Sequence, residues 1–61
     1  MMKFTVLCTG KSNKLIHDII MTEDLSVTVE RSVNALGDSI IEVIGSKEEI
    51  RTLSEIYRMV K

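Results

Sequence analysis

The sequence predicts an α+β fold of element order β-α-β-β-α, in which a three-stranded antiparallel sheet carries both helices on one face. Three observations predict this class. Apolar and polar residues alternate in three segments, apolar residues recur at helical spacing in two others, and a short Asn- and Gly-containing segment separates the last two strands. If strand three lies between strands one and two, the arrangement is a split β-α-β with a hairpin, the front portion of a ferredoxin-like fold.

The first strand is predicted over residues 3–9, where β-forming side chains alternate with a period of two. This period places successive side chains on opposite faces of a sheet, so one set faces a core and the other faces away. The set expected to face the core is Phe4, Val6 and Cys8, and the opposite set is Thr5, Leu7 and Thr9.

A short helix is predicted over about residues 13–22. The segment 10–13, Gly-Lys-Ser-Asn, interrupts the strand pattern and offers Ser12 or Asn13 as the N-cap. Apolar residues then recur at helical spacing, which indicates one buried stripe. The residues of that stripe are Leu15, Ile16, Ile19 and Ile20.

The second and third strands are predicted to form a hairpin. Leu25, Val27 and Val29 alternate with polar residues over 25–30, which is the clearest strand pattern in the chain. Residues 34–38, Asn-Ala-Leu-Gly-Asp, contain the residue types that tolerate positive φ in hairpin loops. The β-rich segment 39–44 beyond them is the third strand.

The second helix is predicted to begin at a capping box in residues 46–49, Ser-Lys-Glu-Glu. The Ser46 oxygen can accept a hydrogen bond from the amide of Glu49, whose carboxylate can reach back to the Ser46 N–H. An apolar stripe follows, with charged residues on the remaining surface as solvated, salt-bridging neighbours. The stripe consists of Ile50, Leu53, Ile56, Tyr57 and Val60.

The length of 61 residues predicts a single small domain, residues 1–61, that buries only about 60% of the surface of its unfolded chain. One cysteine excludes an internal disulfide, and one cysteine with one histidine excludes a four-ligand Cys/His zinc site within the chain. We therefore expect no cofactor, and we expect stability to come from a protein partner, including a second copy of the chain.

Composition also restricts the partner and the compartment. The net charge of −1, the dispersed basic residues and only two aromatic residues, Phe4 and Tyr57, argue against direct nucleic-acid binding. Both aromatic side chains are expected in the core. The apolar runs are too short for a signal peptide or a membrane span. With a single free cysteine, these features predict a cytoplasmic protein without membrane contact.

The polar motifs do not form a catalytic set, and we expect a protein that is not an enzyme. Residues 10–12, Gly-Lys-Ser, resemble the end of a phosphate-binding loop, but the motif would need glycine at Thr5. We interpret these residues as a capping turn, where Lys11 and Ser12 could bind an anion weakly at the helix N-terminus. Cys8 is expected on the buried face and His17 beside the apolar stripe, which disfavours a Cys-His dyad.

The sheet face opposite the helices is the predicted partner-binding surface, because a sheet covered on one side leaves apolar area exposed. Thr9, Ser26 and Glu30 are also expected on that face. The third strand contributes either Ile40 and Ile44 flanking Glu42 or, in the other register, Ile41 and Val43. An interface of about 1,200–2,000 Å² in total would be an ordinary specific one. The candidate partner-binding residues are Thr5, Leu7, Thr28, Ile40, Glu42 and Ile44.

The element order and four segments of the chain carry a resemblance to a known family. The segments are residues 23–27 (Glu-Asp-Leu-Ser-Val), Arg31-Ser32, the strand 40–44 and the start of the last helix. In these features the chain resembles the small dimerising subunit of the KEOPS tRNA-modifying complex. The resemblance implies a non-catalytic homodimeric accessory subunit that contacts the catalytic subunit through its helices. A small antagonist of a cellular or host protein is a second version of the same interaction function. The alternative is a small ligand-binding regulatory domain similar to the ACT family, in which Gly10 would represent the expected glycine-rich loop.

Overall fold

The computed structural model describes residues 1–60 and contains three strands and two helices. They are β1 (Met2–Leu7), α1 (Gly10–Thr22), β2 (Thr28–Val33), β3 (Ser39–Gly45) and α2 (Lys47–Val60). The strands form one antiparallel sheet in the order β1-β3-β2. The predicted fold class, element order and central position of the third strand are confirmed.

The strand register determines which side chains lie under the helices. Phe4 pairs with Val43 and Val6 with Ile41, which places these four side chains on the helix-covered face. Val29 of β2 pairs with Val43 on the same face. The predicted orientation of β1 is therefore confirmed, and Cys8 is half-buried against the core as expected.

The core lies between this face and one apolar stripe from each helix. Ile41, Val43 and Leu53 have no exposed surface, and Phe4 and Tyr57 meet edge to face with ring centroids 5.6 Å apart. Because residues of both helices enter one cluster with the central strand, both helices cover the same face. The buried residues are Ile16, Ile19, Ile41, Val43, Ile50, Leu53 and Tyr57.

Helix α1 begins three residues earlier than predicted, at Gly10 rather than near residue 13. The N-cap is Thr9, not Ser12 or Asn13. Thr9 has extended backbone angles, and its Oγ1 accepts a hydrogen bond from the Ser12 amide at 3.0 Å. Residues 10–13 therefore form the first turn of the helix, because Thr9 supplies the capping oxygen that we had assigned to Ser12 or Asn13.

Strand β2 begins at Thr28 rather than Leu25 and extends to Val33, so the predicted strand 25–30 is displaced toward the hairpin. The residues before it serve the helix ends instead. Asp24 adopts a left-handed φ of 52°, and the Leu25 amide donates to the Ile20 carbonyl at 3.0 Å, as in a Schellman motif. The Ser26 amide donates to the Glu49 carboxylate at 2.6 Å. Leu25 still packs against the core, which explains the alternating pattern.

The predicted hairpin loop is confirmed at residues 34–38. The Asn34 amide donates to the Asp38 carbonyl, and the Asn34 side-chain oxygen accepts from the Leu36 and Asp38 amides at 2.9 and 3.0 Å. Gly37 has a φ of 86°, which disfavours other residues at this position. The loop leaves the Leu36 side chain 87% exposed at its tip.

The capping box of α2 is present in the structure. The Glu49 amide donates to Ser46 Oγ at 3.3 Å, and the Ser46 hydroxyl donates to the Glu49 carboxylate at 2.9 Å. The same carboxylate also accepts the Ser26 amide. These bonds lower the pKa of Glu49, the Ser26 amide contributing most and the Ser46 hydroxyl next. The cap thus ties the start of α2 to the segment that precedes β2.

Candidate functional site

The sheet face opposite the helices, which we call the open face, is formed by alternate residues of all three strands. Each strand contributes three side chains, because successive residues point to opposite faces. All six candidate partner-binding residues lie on it. The nine positions form three rows across β1, β3 and β2, which are Lys3, Ile44 and Thr28, then Thr5, Glu42 and Glu30, then Leu7, Ile40 and Ser32.

The structure decides between the two registers that the sequence left open for β3. Ile41 and Val43 are fully buried under the helices, whereas Ile40 and Ile44 flank Glu42 on the open face and are half-buried. The first alternative is therefore the observed one. The strand face under the helices must be apolar. Ile41 and Val43 meet this requirement, whereas Ile40 and Ile44 have Glu42 between them on the same face.

Two residues expected on the open face do not lie in the sheet. Thr9 caps α1, and Ser26 precedes β2 and donates its amide to Glu49. Lys3 and Ser32, which we had not assigned to the face, occupy positions of the grid instead. The later start of β2 explains the loss of Ser26 and the gain of Ser32.

The apolar part of the open face is concentrated at one end of the strands. Leu7 lies directly opposite Ile40, and its side chain is 55% exposed. Ile44 lies at the other end of β3, next to Lys3 and Thr28. The open face is therefore apolar at the Leu7 end of the strands and of mixed polarity at the Lys3 end.

The charges of the open face have both signs. Lys3 Nζ contacts a Glu42 carboxylate oxygen at 2.9 Å, and the Glu42 side chain is largely buried by its neighbours. Glu30 lies directly opposite Glu42 in the neighbouring strand. Two carboxylates at directly opposed positions repel each other, and one lysine lies beside them, so the face carries acidic excess at its centre.

The predicted anion-binding residues lie at the mouth of a cleft of about 690 Å³ between β1, the first turn of α1 and the end of α2. Lys11 is exposed there. Ser12 is already engaged, because its amide donates to Thr9 and its Oγ accepts from the Thr9 hydroxyl at 2.9 Å and the Tyr57 hydroxyl at 3.2 Å. An anion would have to compete with these hydrogen bonds.

Residues 1–60 contain no cluster of three or more His, Cys, Asp or Glu side chains that could hold a metal ion. Cys8 lies at the end of β1 against the core, while His17 lies on the exposed surface of α1. Neither described helix is long and apolar enough to cross a membrane.

Comparison with known proteins adds no identity. No protein-family model, no curated protein sequence and no solved structure matches this chain. The resemblance to the KEOPS subunit stays a prediction.

Proposed function

We propose that this chain is a non-catalytic protein-interaction module that self-associates by packing the open face of one copy on that of another. The observation that carries this proposal is the exposure of Leu7 beside Ile40 on the sheet face that the helices do not cover. A second copy would remove these side chains from water, which is favourable in proportion to the apolar area buried.

One symmetric arrangement of two copies brings opposite charges at the edges of their open faces together. A two-fold axis parallel to β3 places β1 of one copy over β2 of the other, and Lys3 then comes near Glu30 of the second molecule. The arrangement repeats by symmetry, so each dimer gains two such approaches. The same axis places Glu42 of one copy over Glu42 of the other, so the two Lys3–Glu30 approaches act against one like-charge contact, in which each Glu42 already has its own Lys3 at 2.9 Å.

The size of the face predicts a weak dimer. Three strands about 4.8 Å apart, two of them six residues long and the central one seven, cover roughly 15 by 20 Å, or about 300 Å² in projection. Standard interfaces bury about 800 Å² per partner. We therefore expect a transient dimer with a dissociation constant in the micromolar range or above rather than an obligate one.

The test is sedimentation velocity over a dilution series from about 10 µM to 1 mM, which spans the affinities expected for a small interface. Wild-type protein should shift from monomer to dimer. Ile40→Glu places a charge in the apolar part of the open face and should abolish the shift. Leu36→Glu is the matched control, because Leu36 lies at the hairpin tip outside the face. A wild-type chain that stays monomeric throughout would contradict self-association.

Within this function, the narrower roles are an accessory subunit of a tRNA-modification complex, as the KEOPS resemblance implies, and an antagonist of a cellular or host protein. The first requires a helix surface free to contact a catalytic subunit while the sheet faces pair. In the proposed dimer both helices lie on the outer sides, because they cover the opposite face. The dimer is compatible with helix-mediated contact, and co-elution with a purified catalytic subunit tests that role.

The second candidate function is small-ligand binding in the manner of ACT domains, and the cleft beside Lys11 and Tyr57 is the observation in its favour. A glycine at position 10 is not required by space, because a Cβ there would meet no atom within 4 Å. We therefore rank this function second. Thermal-shift screening against amino acids and nucleotides tests it, and stabilisation lost in Lys11→Ala would support it.

A further inference from the structure

The outer edge of β1 presents backbone groups that the sheet does not use. The Cys8 amide donates to the Ser39 carbonyl at 2.9 Å, so the even-numbered residues of β1 form the hydrogen-bonded pairs with β3. In an antiparallel ladder these pairs alternate with residues whose N–H and C=O groups point the other way. The amides and carbonyls of Lys3, Thr5 and Leu7 are therefore directed away from the sheet.

A groove runs along this edge, between β1 and the flank of α2. Its first part, of about 400 Å³, lies between Phe4 and Ile50 at the start of β1. Its second part is the cleft of about 690 Å³ described above, where Val6 faces Tyr57 and Val60. The two parts are separate clefts that share no lining residue; they follow one another along β1, and we call them together the β1 edge groove.

The β1 edge groove has an apolar floor and a basic rim. Phe4, Val6 and Ile50 contribute the floor. Among residues 1–60 five basic side chains line the groove against one acidic side chain, Glu55. Two of the five are in ion pairs, Arg51 with Glu55 at 3.9 Å and Lys3 with Glu42 of the open face at 2.9 Å. The basic side chains are Lys3, Lys11, Lys47, Arg51 and Arg58. A chain of net charge −1 thus concentrates positive charge at one sheet edge.

We propose that the β1 edge groove binds an extended acidic segment of a partner protein, which adds to the sheet as a fourth strand beside β1. The unpaired backbone groups supply the hydrogen bonds of strand addition, as in other proteins that bind peptides at a sheet edge. Alternate side chains of the incoming strand then lie under α2, where carboxylates reach the basic rim, and beside Leu7 on the open face, where apolar side chains fit.

The positive charge of the basic rim also disfavours a second copy of the chain as the occupant. Pairing of β1 with β1 of another molecule would bring two sets of the same lysines and arginines together, which is electrostatically unfavourable. An acidic strand neutralises them instead. The proposal extends the interaction function to a second surface and does not require the open-face dimer, so the two can fail separately.

The experiment is a titration of the isotopically labelled chain, followed by nuclear magnetic resonance, with an end-capped seven-residue peptide that alternates glutamate and valine. Shift changes are expected at Lys3, Thr5 and Leu7 and along the α2 flank, together with slower amide exchange at those three residues. Binding should weaken as salt is added, because the rim charges are exposed to solvent. The matched peptide alternates lysine and valine and should not bind.

Two variant pairs test the groove. Thr5→Pro removes an outward amide, and proline is tolerated at such edge positions; we expect at least about tenfold weaker binding. Arg31→Pro is its control, since Arg31 occupies the equivalent outward position of the other edge strand, β2. Lys47→Glu with Arg51→Glu leaves the strand intact and should weaken binding as much, unlike the control Lys14→Glu on α1.

Equal binding of the acidic peptide to wild type and both groove variants would overturn the proposal, as would binding of the lysine peptide or no binding at about 1 mM peptide. A dimer that persists in Ile40→Glu but is lost in Thr5→Pro would show that β1 pairs with itself, and would also overturn it.

Discussion

The two faces of the central strand β3 differ in what they demand from the sequence. On the helix-covered face, Ile41 and Val43 have no exposed surface, while on the open face Ile40 and Ile44 remain half-buried beside Glu42. Neighbouring residues of one strand thus occupy opposite environments, because side chains alternate with a period of two. The fully buried side chains of β3 therefore lie on the covered face alone, and the open face and the β1 edge are parts of the sheet that remain exposed.

The largest expected effect is a matched pair of substitutions on the two faces. Ile41→Ala should cost about 2–5 kcal/mol in unfolding free energy, because it leaves a cavity in the core. Ile40→Ala should cost about 1 kcal/mol or less, mainly through lower β-propensity. Since a chain of this length is stable by roughly 3–9 kcal/mol, Ile41→Ala approaches global unfolding. Urea titration followed by circular dichroism measures both free energies of unfolding. Equal losses in the two variants would contradict the expected difference between the two faces.

A second pair of substitutions tests the end of the covered face. Gly45 is the next residue of β3 after Ile41 and Val43 on that face. A Cβ at Gly45 would lie 2.6 Å from Val27 Cγ1, so Gly45→Ala should destabilise by about 1–3 kcal/mol through overpacking. Gly10→Ala is the control, because space is open there and the residue is helical. That change should stabilise by about 0.5 kcal/mol. We expect the melting temperature of Gly45→Ala to lie below that of wild type and the melting temperature of Gly10→Ala to lie above it.

The residues of this comparison also show how far the sequence predicts the molecule. Alternation in β1 and β3 identified both strands and their faces, because a half-buried strand repeats every two residues. The capping box Ser46 to Glu49 located the start of α2 because its hydrogen bonds are local. The fold class followed from these local signals and from the rule that the crossover between β1 and β2 is right-handed.

The failures of prediction come from competition between local and tertiary hydrogen bonds. Thr9 continues the alternation of β1, yet its side chain caps α1, so the helix starts earlier than the Gly-Lys-Ser-Asn segment indicated. Ser26 continues the alternation of β2, yet its amide is taken by Glu49 of α2. A partner 23 residues away in the sequence leaves no local signal.

The β1 edge groove, the proposed site of strand addition, was not predicted from the sequence. Arg51 and Arg58 had the pattern of solvated helix charges, and their association with β1 depends on how α2 lies across the sheet. The alternation pattern predicts only that Lys3 begins a strand. The signal available was the predicted strand order, which already makes β1 an edge; the basic residues are dispersed along the sequence and gave none.

The smallest expected effect concerns the carboxylate that joins the covered side of the molecule to its loops. The Ser26 amide and then the Ser46 hydroxyl lower the pKa of Glu49 in the folded state. The unfolded chain therefore takes up this proton at higher pH than the folded chain, and acidification favours unfolding. The stabilisation is present above the ordinary glutamate pKa of about 4.3 and is lost as pH falls through the lower folded value.

Melting temperatures between neutral pH and the acid range measure this stabilisation. Glu49→Gln should melt below wild type at neutral pH, and the two curves should converge on acidification. Glu48→Gln, one residue earlier in the same helical turn, should retain the wild-type acid response because Glu49 is intact; a parallel loss in both variants would remove the role assigned to the Ser26 contact.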